Sequence, residues 1–315
     1  MIRLDPVPNS LAPPPTVPAW ALTPGSRASE ADAAFQAGAA LASLDRLARA
    51  QPPSAGVWRQ RLALNCAAAS MRLAGRVEDA AALRDAWYLR ATTADPGPAG
   101  AILGAWRQLV LQPHIYYPDR LEKIVDQLGL HWDGKKLGDL CTAIENLSQR
   151  PAPFAASAIA AHVVATLPDS ELFAWWLADL VLAQSLRWPR PLPLLMAQAF
   201  GPAFRAEGGG KRIRPGEDGF ERAVCVALVQ AAAEACRMAA ELLRRADKLL
   251  AVAPKLRAKG AGDVIFLLLN EDAVSGSVTT KNLSRFAARR LFERLQQLEA
   301  LRELSGRPSF RLFGL

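Results

Sequence analysis

A chain of 315 residues, 51% hydrophobic and 22% charged, has the length for one large domain or two ordinary ones and a common globular composition. Four cysteines are too sparse for a disulfide scaffold and three histidines leave little room for a histidine-rich metal site; collagen and long acidic disordered chains are excluded as well. The net charge is +8, which favours anionic partners without naming one.

In chain order, residues 1–24 read as an extended arm, because Pro6, Pro8, Pro13, Pro14, Pro15 and Pro18 fix φ and remove backbone donors. Those prolines also deny the arm the apolar run of a secretory signal, so a cytoplasmic location is expected. From Ser29, an N-cap candidate, Phe35, Ala39, Leu41, Leu44 and Leu47 recur at helical spacing up to Pro52-Pro53. Further helices are expected over 57–73, closed by Gly75, over 77–90, around Ile102, Trp106 and Leu109, and over 119–128, 137–148, 154–166 and 170–186. Asp169 and Ser170 stand where a cap is needed for the last of these. Leu172–Leu186 is the most apolar run, but Asp179 and Gln184 break it well short of the ~20 residues a membrane span needs. Pro189, Pro191 and Pro193 force a break, a glycine-rich basic loop runs from Glu207 to Gly216, and 220–250 reads as one long helix. Residues 25–250 are therefore expected to form an all-α domain of nine or ten helices.

Residues 251–315 differ. A small basic linker (Ala253–Gly262) leads to a short apolar helix over 263–270 and a polar stretch over 271–282. A strong helix follows over 283–299, and then 301–305 and 309–313 alternate around Gly306-Arg307-Pro308 as a β-hairpin. Helix, longer helix and hairpin is the order of a winged helix-turn-helix module with the hairpin as its wing. The stretch 273–280 is too short and polar for the helix that such a module carries before its recognition helix. On the 283–299 helix, Leu283, Ala287, Leu291, Leu295 and Leu298 share one face, with Arg285, Arg289 and Gln296 opposite. Guanidinium groups on such a face can meet guanine O6 and N7 in the major groove. Lys281 and Asn282 at the helix start, and Arg307 at the hairpin tip, are expected to meet phosphate or the minor groove. Residues 1–204 hold 18 basic and 17 acidic side chains, and residues 205–315 hold 20 and 13, so the excess lies in the final third.

Several stretches resemble one bacterial family: Phe35–Leu41, Trp58–Leu64, Leu83–Trp87, Asp95–Gly100, Ala251–Gly262, Ala287–Leu295 and Arg302–Leu315. It is known as domain of unknown function 1403 and is frequently plasmid-borne. The C-terminal block is also similar to the end of a second family that carries a helix-turn-helix. The resemblance implies DNA binding by the tail and supplies no catalytic residues.

Other motifs point to less. Glu207-Gly-Gly-Gly-Lys-Arg212 fails as a phosphate loop, since Arg205 and Arg212 occupy places that need Gly and Ser/Thr; Lys211, Arg212 and Arg214 remain possible phosphate contacts. His114, His131 and His162 lie on separate segments without ligand spacing, and no cofactor or metal is expected. Asp79, Asp85 and Asp95 read as helix-surface charges and a cap. Cys66, Cys141, Cys225 and Cys236 read as free thiols. Asp179, inside an apolar run, is expected to be buried and paired with Arg187 or another Arg. The expected function is non-enzymatic DNA binding, in transcriptional or plasmid-maintenance regulation. The alternatives are a helical scaffold or homo-oligomer whose tail meets a protein and, last, a carboxylate-based enzyme.

Overall fold

A computed structural model describes residues 14–22, 29–90, 94–113, 118–147, 149–206 and 210–315. The described chain is mostly helical, with 13 α-helices and a small three-stranded sheet near the C-terminus. The arm is not extended throughout: Ala19–Leu22 form a short helix, α1, while residues 1–13 lie outside the described residues. The Trp20 ring of α1 stacks on Phe35 of α2 (Glu30–Ala50), with centroids 5.4 Å apart, and that contact joins α1 to α2.

Helix α2 begins with a reciprocal cap. The Ser29 hydroxyl accepts from the Asp32 amide at 3.1 Å, and the Asp32 carboxylate accepts from the Ser29 amide at 2.9 Å. Small residues on its inner face (Ala33, Ala37 and Ala40) allow close approach to α11 (Phe220–Val252), and α2 and α11 form one of the two most intimate helix pairs. Between them in sequence come α3 (Ala55–Leu73), α4 (Ala80–Tyr88), α5 (Gly97–Leu111), α6 (Pro118–Gln127) and α7 (Gly134–Asn146). Helices α8 (Ala152–Thr166), α9 (Glu171–Ser185) and the single turn α10 (Leu195–Gln198) complete the body. Helix α9 is apolar on all sides and accordingly central, buried from Phe173 to Ala183. It follows a 3₁₀ turn at Pro168–Ser170, and the Ser170 hydroxyl accepts from the Trp132 indole at 3.0 Å instead of capping the helix.

The eight tryptophans are mostly ties between helices. Trp58 donates to the Ala235 carbonyl, Trp106 to Ser70, Trp176 to the Ala105 carbonyl and Trp188 to Asp45, each at 2.9–3.0 Å. A buried indole N–H needs such a partner, so each tie fixes position as well as filling volume. The stretch Phe220–Lys255 is long and apolar enough to cross a membrane by length and composition, and most of its apolar window is buried against the other helices.

Asp179 has no arginine partner. It is fully buried, and its carboxylate accepts from the backbone amides of Leu194 (2.9 Å) and Leu195 (3.2 Å), pinning the proline-rich turn that leads into α10. Arg187 instead stands in a left-handed turn at φ 53°. Burial pushes the Asp179 carboxyl up to about 8, although the two amides favour its anion.

The last sixty residues run as α12 (Ala261–Asn270), β1 (Val274–Ser275), α13 (Arg285–Gln297), β2 (Arg302–Glu303) and β3 (Leu312–Gly314). The sheet order is β1-β3-β2, antiparallel throughout, with Val274 opposite Phe313 and Arg302 opposite Gly314. β1 falls in the polar stretch where no strand was expected, and β3 is buried on both faces instead of alternating.

One hydrophobic cluster runs from α1 to Leu315, so a boundary near residue 250 does not separate two cores. Helix α12 lies on α3 where Gly56 permits it: a Cβ there would stand 2.7 Å from the Asn270 Cα. Charged groups close the seam. Arg61 and Arg84 both bind the buried Asp272 carboxylate, Arg107 donates to Glu271 at 2.7 Å, and the Tyr88 hydroxyl donates to Glu271 at 3.1 Å.

Candidate nucleic-acid interface

Helix α13 is set by a Ser284 cap, whose hydroxyl accepts from the Ala287 amide at 3.3 Å, and by an apolar stripe. Ala288, Leu291, Phe292 and Leu295 are buried, and Phe292 stacks on Phe313 of β3 with centroids 4.6 Å apart. Ala287 and Leu298 only border this stripe. The opposite face carries Arg285, Arg289, Arg290 and Arg294, all exposed. Arg289, with 78% of its side chain exposed, meets Glu293 at 3.2 Å, and among the described residues Arg285, Arg290 and Arg294 have no acidic partner. Glu293 and Arg289 are an exposed i,i+4 pair of the kind worth only tenths of a kcal/mol, so Arg289 is readily released to another anion.

The other residues singled out in the sequence separate into two groups. Lys281 is exposed and has no ion pair among the described residues. Asn282 is exposed too, but its amide turns to Asp263 at 3.4 Å. The basic linker comes up against this corner: a Cβ on Gly260 would stand 2.6 Å from the Leu283 Cβ, which brings Lys259 beside the start of α13.

Gln296 and Arg307 are engaged elsewhere. Gln296 lies on the hairpin side of α13, not opposite the apolar stripe, and accepts from Arg311 at 3.1 Å. Arg307 binds both oxygens of Asp85 on α4 at 2.6 Å, and its Nε and Nη2 donate to the Phe310 carbonyl at 3.3 and 3.2 Å. It clamps the hairpin tip to the helical body, and Asp85 holds the guanidinium's pKa above its ordinary value.

The three cations of the glycine-rich loop are likewise occupied. Arg212 grips the buried Glu171 at 2.6 and 2.9 Å, Arg214 reaches the same carboxylate at 3.1 Å, and Lys211 pairs with Glu217 at 2.6 Å. Burial works to raise the Glu171 carboxyl, but the Arg212 hydrogen bonds and charge, with Trp175 and Arg214, hold it below the usual carboxylate range. Glu207, Gly208 and Gly209 lie outside the described residues, as does His114. His131 and His162 are exposed on separate segments, and Asp79 and Asp95 accept from nearby backbone amides as caps. Among the described residues no three His, Cys, Asp or Glu side chains gather as a metal site.

A cavity of about 570 Å³ opens between α13, the Gly276–Ser277 turn and the hairpin. Arg285, Phe286, Arg289, Phe310 and Arg311 line it, with Glu293 as its one acid. Phe286 and Phe310 were not anticipated. Phe286 carried a signal, being an aromatic residue on the arginine face and off the leucine stripe; Phe310 carried none, because its exposure depends on a left-handed backbone at φ 52°.

Residues 8–315 match the model of a family described as a protein of unknown function (DUF1403). The chain belongs to that family. No curated protein matches it in sequence. In this DUF1403 protein the match runs through the helical body and the C-terminal module alike, as one hydrophobic core does.

Proposed function

We propose that this DUF1403 protein binds DNA without catalysing a reaction, and that its C-terminal module works as a winged helix. One observation carries the reading. The order α12, β1, α13, β2, β3, with β1-β3-β2 in the sheet, leaves α13 as an outward helix with four exposed arginines beside a hairpin. In this reading α13 lies along a groove, with Arg285 and Arg289 reaching base edges and the phosphates beside them and Lys281, Arg290 and Arg294 toward phosphates. The helix that usually precedes the recognition helix is replaced by residues 276–284, closed by a Thr280–Leu283 bridge, so the contacts fall to α13 itself. Arg307 supports the hairpin from Asp85, and the Lys211–Arg214 loop plays no part. A transcriptional or plasmid-maintenance regulator in the cytoplasm is the role this suits.

The test uses the full chain, since the module shares its core with the body. Arg285→Ala/Arg289→Ala is compared with the wild type on duplex DNA over a range of salt concentrations. The expected result is a loss of roughly tenfold or more in affinity and a salt slope flatter by about two. Equal affinities and slopes would falsify the reading. A second reading, a scaffold whose tail meets a protein, draws on the exposed Phe286 and Phe310. It gains if the protein copurifies with a stoichiometric partner and shifts no DNA.

A further inference from the structure

Two aromatic rings stand where a surface built only for duplex DNA has polar groups. Phe286 is 80% exposed and Phe310 71% exposed, and both line the cavity that Arg285, Arg289 and Arg311 also line. The fold holds Phe310 there at a cost. A bulky residue at φ 52° is strained, since only Gly and, less often, Asn and Asp enter that region freely. Its ring buries little in return. The backbone is nevertheless fixed, because Arg307 binds the Phe310 carbonyl while Asp85 holds Arg307. Strain at a surface residue that is locked from behind belongs to a residue whose return comes on binding.

The chemistry of that ligand follows from what a phenylalanine can recognise. It has no donor or acceptor with which to read a base edge. In a closed duplex the base faces are covered by their neighbours, leaving edges and phosphates. An unpaired base presents a free π-face, and a phenyl ring is its complement. The cations in the same cavity suit the phosphates on either side of such a base. We propose that the cavity between α13 and the hairpin takes an unpaired base of DNA against Phe286 and Phe310, its flanking phosphates on Arg285 and Arg289. The protein then prefers DNA with a single-stranded tail to a blunt duplex. This inference rests on the DNA-binding reading above.

The experiment is an anisotropy titration of the full chain at one fixed salt concentration. The probes are a labelled blunt duplex of about 20 base pairs and the same duplex with a tail of about five thymidines. The tailed DNA is expected to bind about tenfold tighter, the factor a single stacked base supplies. Phe286→Leu/Phe310→Leu keeps apolar area without a π-face, and should abolish the preference while leaving blunt-duplex affinity unchanged. Phe286→Tyr/Phe310→Tyr should keep it. Equal binding of the two probes by the wild type overturns the inference and leaves DNA binding intact. A preference that survives in the leucine variant also overturns it, and turns the rings over to a protein partner. Failure to bind either probe overturns this inference together with the reading beneath it.

Discussion

Lys211, Arg212 and Arg214 are as densely basic as Arg285, Arg289, Arg290 and Arg294, yet the two groups spend their charge in opposite ways. In the loop every cation meets a carboxylate, two of them the same buried Glu171, so the loop is strapped to the head of α9. On α13 four cations share one exposed acid, Glu293. The difference teaches that net charge locates an anion-binding surface only after internal pairs are removed. Of the basic excess in residues 205–315, Arg307, Arg311, Lys248 and Arg245 are also paired, with Asp85, Glu303, Glu299 and Glu241. Among the described residues the cations without an ion pair include Lys281, Arg285, Arg290 and Arg294 at α13 and Lys255, Arg257 and Lys259 in the linker, with Arg237 and Arg244 apart from them on α11.

If the paired cations are structural, removing their acids should unfold the protein and not merely alter its surface. The largest effect is expected at Asp272, where Arg61 and Arg84 converge from α3 and α4. Asp272→Ala strands two largely buried guanidinium groups and should cost about 4 kcal/mol in urea unfolding. Glu171→Ala should cost less, about 3 kcal/mol, because Arg214 is half exposed and regains water. Part of that contribution is also pH-dependent. The Glu171 carboxyl lies below its ordinary value of 4.5 when folded, so its stabilisation is present above that pH and fades as the pH falls through the folded value. A stable Glu171→Ala protein would erase the contrast between loop and helix.

Asp179 sharpens the comparison from the other side, being a buried acid held by backbone dipoles and no cation. With its folded value raised to about 8 against an ordinary 3.8, the unfolded chain loses this proton near pH 4 while the folded chain keeps it to near pH 8. Stability from this group therefore falls as pH rises across that window. Asp179→Asn should cost about 1–2 kcal/mol at pH 4, because one backbone amide loses its acceptor. The gap between wild type and variant should then close and reverse as the pH rises toward 8, because a rise from 3.8 to about 8 is worth about 5 kcal/mol. A gap that stays constant would mean the carboxylate is ionised throughout.

The long helices were legible because burial on one side writes a period into the sequence: the Ala and Leu stripe of α2 and the long apolar face of α11 are examples. The hairpin after α13 was legible from its own period of two, whereas α9, apolar on all sides, was legible as an unbroken apolar run bounded by a cap and prolines. The failures share a cause as well. Gln296 was assigned to the wrong face because α13 packs through Phe292 on Phe313, a contact between elements that helix periodicity cannot see. Arg307 looked free because Asp85 lies 222 residues away in sequence. β1 has two residues and exists only because β3 returns beside it. In the same way, Asp179 finds its donors in a turn whose course depends on the rest of the fold.

The smallest expected effect on stability is also the one that most directly probes the unpaired group. Arg285 and Arg289 project into water, and their neighbours are other arginines as well as Glu293. Removing both costs one exposed ion pair, worth a few tenths of a kcal/mol, and relieves repulsion along the face by a similar amount. Arg285→Ala/Arg289→Ala should therefore unfold in urea within about 0.5 kcal/mol of the wild type while its DNA affinity drops. The two measurements must separate for the α13 arginines to be what the loop arginines are not. A loss of about 2 kcal/mol or more would place these side chains in the architecture of the fold, and any fall in DNA binding would then report unfolding instead of a lost contact.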